Sequence, residues 1–256
     1  MMQLYFTAFK SILFKEITRF SRIWPQTLLP PAITMTLYFL IFGNLIGSRI
    51  GDMAGVPYME FIAPGLIMMS VITNSYGNVA SSFFSAKFQR NLEELIVAPV
   101  PYFVMMAGYI FGGVARGLCV GLIVTLVAMF FVDINVQHPF LVIFTVIITS
   151  ILFSLGGLIN GIFARSFDDI SIIPTFVLTP LTYLGGVFYS LSLLPSFWQG
   201  VSSLNPIVYM INVFRYGFLG ISDISVSVSV AIMVFFCAGL WGLAYYLIVK
   251  GIGIRT

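Results

Sequence analysis

Charge is what this sequence has least of. Only 8% of its 256 residues are Asp, Glu, Lys or Arg, against about a quarter in a soluble globular domain. Hydrophobic residues make up 59% and the mean hydropathy is +1.05. A water-soluble enzyme is thereby excluded, as are disordered and collagenous chains. The chain has one histidine, His138, beside Pro139 in a short loop. It has neither a Gly-x-Ser-x-Gly elbow nor His-Glu-x-x-His, so hydrolytic chemistry has no evident machinery. The two cysteines, Cys119 and Cys237, lie in apolar runs and suggest neither a disulfide framework nor a zinc site. No Gly-x-x-x-x-Gly-Lys-Ser/Thr loop is present, so the chain is not expected to hydrolyse ATP by the usual route. No cofactor is expected, and a net charge of +3 is no nucleic-acid signal.

What the chain has instead is long uncharged runs. A helix rises about 1.5 Å per residue, so about 20 apolar residues cross the roughly 30 Å of bilayer hydrocarbon. On that measure the sequence predicts an all-α membrane protein with six transmembrane helices, at about 26–46, 59–82, 104–131, 140–164, 170–189 and 226–249. The third joins two runs that are too short alone, and so places Arg116 inside a span. Residues 190–222 are apolar but broken by Pro195, Asn205 and Pro206, which predicts a re-entrant helical hairpin between spans five and six. With both ends cytoplasmic, nine basic residues fall inside: Lys10, Lys15, Arg19, Arg22, Lys87, Arg90, Arg165, Lys250 and Arg255. Only Arg49 and Arg215 fall outside, which satisfies the positive-inside rule better than a seventh span.

Residues 1–22 lack the clean basic-then-apolar order of a signal peptide. On a helix, Phe6, Phe9, Leu13, Ile17 and Phe20 share one face, while Thr7, Lys10, Ser11, Thr18 and Arg22 lie largely on the other. This predicts a basic amphipathic helix on the cytoplasmic lipid surface, separated by Trp24-Pro25 from a single transmembrane domain over 23–256. The nine acids, Glu16 among them, all fall at span ends or in loops. An ion relay is then left without a buried carboxylate, which points to an outside energy source.

Between spans two and three lies Ser85–Pro101, SAKFQRNLEELIVAPVP. Asn91 with Glu94 reads as an N-cap and its capping-box partner, opening a short amphipathic helix that ends before Pro99 and Pro101. It is either a well-capped connector or an element able to dock on a soluble partner.

Asn91-Leu92-Glu93-Glu94-Leu95-Ile96-Val97-Ala98-Pro99 resembles the T-L-E-x-L-x-x-x-P loop of ABC-2 type exporter permeases. A second match is more specific: Leu178-x-x-Leu181-x-x-Leu184-Gly185-x-Val187, then Leu194-Pro195, Pro206-Ile207-x-Tyr209 and Arg215. The spaced prolines, Tyr209 and Arg215 carry the discrimination. The resemblance implies a bacterial inner-membrane permease subunit, itself no enzyme, that forms a homodimer with two copies of a separate ATP-binding cassette subunit. It implies that 87–98 is the coupling helix, with Asn91, Glu93, Glu94 and Leu95 as ATPase-coupling residues, and that 190–222 caps the outer mouth. The exported substrate is not indicated. An ATP-independent channel or ion-coupled carrier is the alternative on the same helices.

Arginine at midspan costs about 2.5–3.5 kcal/mol on the insertion scale, so Arg116 is expected to face the bundle interior or a path rather than lipid. Gly113, Gly117 and Gly121, like Gly157 and Gly161, recur every four residues, a spacing that lets helix backbones approach closely, within one chain in preference to across a dimer seam. Arg215 is expected to pair with Asp223 or to meet backbone carbonyls near Asn205-Pro206, and Tyr209 to sit at the membrane interface.

Overall fold

The computed structural model describes residues 2–254; Arg255, counted above among the basic residues inside, lies outside them. The chain is helical almost throughout. Helix α1 (Met2–Arg22) is followed, after a turn at Ile23, by α2 (Trp24–Thr27) and α3 (Leu29–Tyr38). The Thr27 hydroxyl bridges the joint by donating to the carbonyls of Phe20 at 2.8 Å and Ile23 at 3.2 Å. A π-helical stretch (Phe39–Ile46) and α4 (Gly47–Ile50) continue the same rod. A two-residue hairpin, β1 (Asp52–Met53) and β2 (Val56–Pro57), then turns the chain into α5 (Tyr58–Phe88).

After α5 come α6 (Asn91–Val97), α7 (Tyr102–Ala128) and α8 (Pro139–Phe163). Helix α9 (Phe167–Ile173), a π-helical turn (Pro174–Leu178) and α10 (Thr179–Tyr183) form one short rod. There the Thr179 hydroxyl reaches back five residues to the Pro174 carbonyl at 2.9 Å. The expected fifth span over 170–189 is thus cut short at Tyr183. Gly185-Gly186 follows, and Gly186 takes a φ of +77°, a conformation open to glycine that turns the backbone away. A 3₁₀ turn (Leu191–Leu193), α11 (Ser196–Ser203) and α12 (Pro206–Leu219) fill the segment expected as a hairpin, before α13 (Val226–Lys250).

Four helical stretches among the described residues are long and apolar enough to cross a membrane: Trp24–Gly43, Tyr102–Ala128, Pro139–Phe163 and Val226–Lys250. Helix α5 is longer, at 31 residues, but its apolar run is diluted by Ser70, Asn74, Ser75, Asn78 and Ser82. Those side chains are tolerable because α5 is the central helix, packed against both α7 and α8 and buried along most of its length, with Phe61, Leu66, Ile72 and Phe83 wholly enclosed.

Lipid tails are as apolar as leucine, so helices in a bilayer associate through close packing rather than hydrophobic burial. The small residues serve that end. A methyl group at Gly157 would overlap the Tyr76 backbone carbonyl, so α8 touches the α5 backbone itself. Gly113 and Gly117 of α7 face Ser154 and Ser150 of α8 and Ser75 of α5, all within this chain.

Helix α1 does not lie clear of the bundle. Gly108 and Gly112 of α7 receive Ile12 and Glu16, and Phe9 meets Phe111 edge to face at 5.8 Å. The expected apolar face is therefore divided. Phe20 is buried against protein, while Phe6 stays exposed.

Candidate functional site

Helix α5 carries a distinct constellation at each end. At its C-terminal end, Lys87 donates from Nζ to the carbonyls of Ile162 at 2.6 Å and Ala164 at 2.9 Å, tying α5 to the last turn of α8. Such terminal carbonyls have no partner within their own helix, and a cation there also complements the helix dipole. The chain then reverses at Arg90, in the left-handed region at φ +62°, and enters α6.

This corrects the expected capping box. The residue that opens α6 is Arg90, Asn91 lies in the first turn, and no side chain caps the helix. Asn91 instead donates from Nδ2 to Gln89 Oε1 at 3.2 Å. Sequence spacing found the acidic first turn but not the left-handed residue that displaces the start. The helix is also shorter than 87–98, because Lys87 and Phe88 belong to α5. Leu92 anchors α6 at 1% exposure, leaving Asn91, Glu93 and Glu94 exposed and Leu95 half-buried.

The capping box in this region lies elsewhere. Ser166 Oγ accepts from the Asp169 amide, and Asp169 Oδ2 accepts from the amides of Arg165 at 2.8 Å and Ser166 at 3.1 Å, opening α9. These bonds, the Arg165 amide first, hold the Asp169 carboxyl below its ordinary range. Ser-x-x-Asp is close enough to the Ser/Thr-x-x-Glu pattern for the sequence to have carried this signal.

At the other end of α5, Arg215 of α12 is 3% exposed. Its Nη2 donates to the Gly186 carbonyl at 2.5 Å, its Nη1 stands 3.8 Å from Asp223 Oδ2, and its guanidinium lies 3.8 Å from the centre of the Phe61 ring. Asp223 in turn accepts from Ser190 Oγ at 2.6 Å and the Leu191 amide at 3.2 Å. One arginine thus joins α12 to the glycine turn after α10, to the loop before α13 and to α5.

Asn212, one turn before Arg215, accepts from the amides of Asp223 at 2.8 Å and Ile224 at 3.2 Å, and donates to the Ile224 carbonyl at 2.7 Å. Pro206 occupies the first turn of α12. The Asn205 side chain caps it, accepting from the Ile207 amide at 3.0 Å and donating to the Leu181 carbonyl at 2.6 Å. Pro195 opens α11. Tyr209 donates to the Ser203 carbonyl at 2.6 Å, closing α11 onto α12. Asn205 was legible as a cap before a helix-starting proline; Asn212 carried no such signal.

A third constellation lies beside the middle of α5, and most of it escaped the sequence reading. Glu16 is fully buried, which corrects the expectation that the chain holds no buried carboxylate. Its Oε2 pairs with Arg19 at 3.1 Å and its Oε1 accepts from Ser82 Oγ at 2.5 Å. Arg19 also donates to Asn78 Oδ1 at 2.9 Å and to the Asn78 carbonyl at 3.0 Å. One turn along α5, Arg116 donates to Asn74 Oδ1 at 3.0 Å and to the Thr27 carbonyl at 3.4 Å. Two asparagines on α5 thus serve two arginines from α1 and α7. Among the described residues there is no group of three His, Cys, Asp or Glu side chains able to hold a metal ion.

The ABC-2 type transporter family model matches residues 7–219, from the first turns of α1 to the end of α12. The chain belongs to the ABC-2 type transporter family. It is 65% identical to the inner membrane transport permease YadH of Escherichia coli strain K12, over the whole length of both chains. More distantly, it is 24% identical to nodulation protein J of Sinorhizobium fredii, over 70% of this chain and 68% of that one. It is also 23% identical to the protein of the same name from Rhizobium leguminosarum bv. viciae, over 72% of this chain and 71% of the relative. The chain is accordingly a helical membrane transport protein of ABC-2 type. All three constellations described above join one helix to another.

Proposed function

We propose that this chain is the membrane-spanning permease subunit of an ATP-driven exporter of the inner membrane, working as a homodimer with two copies of a separate ATP-binding cassette subunit. The single observation that carries the reading is the build of α6. It is a short helix presenting exposed Glu93 and Glu94, pinned by Leu92, and joined through Arg90 to the helix at the centre of the bundle. A push on α6 is therefore delivered to α5, and through Lys87 to α8. A helix anchored and linked in this way favours a docking element over a plain connector.

In this topology there are six spans: the rod from α2 to α4, then α5, α7, α8, the rod from about residue 170 to the end of α10, and α13, with Asp168 and Asp169 in the cytoplasmic turn before the fifth. Both termini and α6 are cytoplasmic, α1 lies at the cytoplasmic lipid boundary, and α11 with α12 form a re-entrant hairpin at the outer mouth, held by Arg215. The buried Glu16 reopens the ion-coupled alternative, but both of its oxygens already accept hydrogen bonds, from Arg19 and Ser82. That favours a structural pair over a proton relay.

The test uses the permease reconstituted with its ATPase. Glu93→Ala/Glu94→Ala is expected to leave the permease folded while weakening ATPase association and uncoupling hydrolysis from transport. Normal assembly and coupling in that variant would overturn the docking role. Transport sustained by a proton gradient with a hydrolysis-dead ATPase would establish the carrier instead.

A further inference from the structure

Two cavities at the α6 end of the bundle adjoin one another. The first is a cleft of 440 Å³ between the ends of α5 and α8, α6 and the C-terminal turn. Its polar wall is Lys87, Arg90, Arg165 and Glu93, and its apolar wall includes Phe84 and Phe163. The second is a groove of 310 Å³ running from Phe163 along α8 through Ile159 and Gly156 to Leu152, with Leu178 and Leu243 opposite. Phe163 borders both, so the charged cleft and the apolar groove lie next to each other.

The dimensions and charges match one kind of occupant. From Phe163 to Leu152, α8 covers about 16 Å at 1.5 Å per residue, close to the roughly 15 Å of hydrocarbon in one leaflet. Lys87 is committed to two carbonyls, but Arg90 and Arg165 are exposed and form no ion pair among the described residues. A pair of open guanidiniums at the membrane boundary, above a furrow one acyl chain long, is suited to an anionic phospholipid.

We infer that the Arg90–Arg165 cleft and the α8 groove together bind one anionic phospholipid, with its phosphate at the arginines and an acyl chain along Ile159, Gly156 and Leu152. The inference rests on the proposed topology, which sets this end at the cytoplasmic headgroups, and owes nothing to the ATPase. The arginines alone would serve any phosphate. The groove is what selects a lipid.

The test is native mass spectrometry of the full-length permease released from nanodiscs, titrated with phosphatidylglycerol, phosphatidylcholine or inorganic phosphate. Wild type should retain one phosphatidylglycerol per chain at this site in preference to phosphatidylcholine. Arg90→Gln/Arg165→Gln should weaken that retention about 30-fold, since each juxtamembrane cation contributes about 1 kcal/mol. Gly156→Leu narrows the groove, and its Cβ meets the Tyr76 ring at an ordinary 3.5 Å; it should weaken phosphatidylglycerol retention and leave phosphate binding unchanged. Equal retention of the two lipids overturns the inference. So does inorganic phosphate competing as well as the lipid while Gly156→Leu has no effect, which would mark a free-phosphate site. Should the double arginine variant fail to fold, wild type and Gly156→Leu decide alone. If Glu93→Ala/Glu94→Ala uncouples transport while no lipid is selected, the lipid site falls and the exporter reading stands.

Discussion

Replacing Arg215 by alanine removes the bond to the Gly186 carbonyl, the pair with Asp223 and the contact over Phe61 in one step. Breaking a buried ion pair from one side costs about 3–5 kcal/mol, because the remaining charge is left without its partner. The Asp223 side chain is 16% exposed and keeps the Ser190 hydroxyl and Leu191 amide, so the cost belongs at the low end, about 3 kcal/mol. That lowers the folding equilibrium constant about a hundredfold. Steric trapping in bicelles, which measures the unfolding equilibrium of a membrane protein directly, is the assay. Arg215→Met/Asp223→Asn should recover part of the loss, because the neutral amide is no longer a stranded charge and can still accept from Ser190. If Arg215→Ala is as stable as wild type, or the double variant is less stable than either single one, the arginine is not the clasp described here.

Three further outcomes follow from the packing. Gly112→Leu sets a side chain against Glu16 Cβ and Cγ and should cost about 1–3 kcal/mol by overpacking; faster proteolysis at Lys10 and Lys15 would report the loosening of α1, and unchanged cleavage would refute its docking. Lys87→Ala strands the Ile162 and Ala164 carbonyls and should destabilise by about 1 kcal/mol, read as faster hydrogen exchange in the last turn of α8. Asp169 has a folded pKa below its unfolded one, so its contribution to holding α9 is full above the unfolded pKa and is lost as pH falls through the folded value. Acid should therefore fray α9 in the wild type and make less difference in Asp169→Asn, as followed by the exchange of the Phe167–Asp169 amides.

The α6 loop and the α12 segment were legible because their signals are local: an acidic first turn ahead of two prolines, and Asn-Pro opening a helix whose Arg215 follows nine residues later. The capping of α6 differs from the sequence expectation because Asn-x-x-Glu is also compatible with a helix begun one residue earlier by a left-handed Arg90. The uncharged run predicts a span over 170–189 whereas the helix ends at Tyr183, because hydropathy does not register a backbone turn and Leu184–Tyr189 is apolar enough to continue a span. The Glu16 cluster was invisible, since Arg19 and Asn78 lie 59 residues apart and Glu16 and Ser82 lie 66 apart. Spacing sets Glu16 on one stripe with Ile12 and Phe20, the other buried residues of α1, but it gives no sign of the partners that make a carboxylate tolerable there.

The scarcity of charge, the length of its uncharged runs and its two motifs determined by sequence alone that this protein is helical, lies in a membrane and is of ABC-2 type. Those properties are set by the solvation of single residues and by local backbone preference, which need no neighbour to act. Which polar groups are safe inside the bundle was decided only by tertiary structure. Glu16, Arg19, Arg116 and Arg215 are each tolerable because a distant part of the chain brings an asparagine, a serine, a carboxylate or a bare carbonyl to within hydrogen-bonding or ion-pairing distance. Inside the packed bundle there is no bulk water to supply that partner, so the fold must supply it.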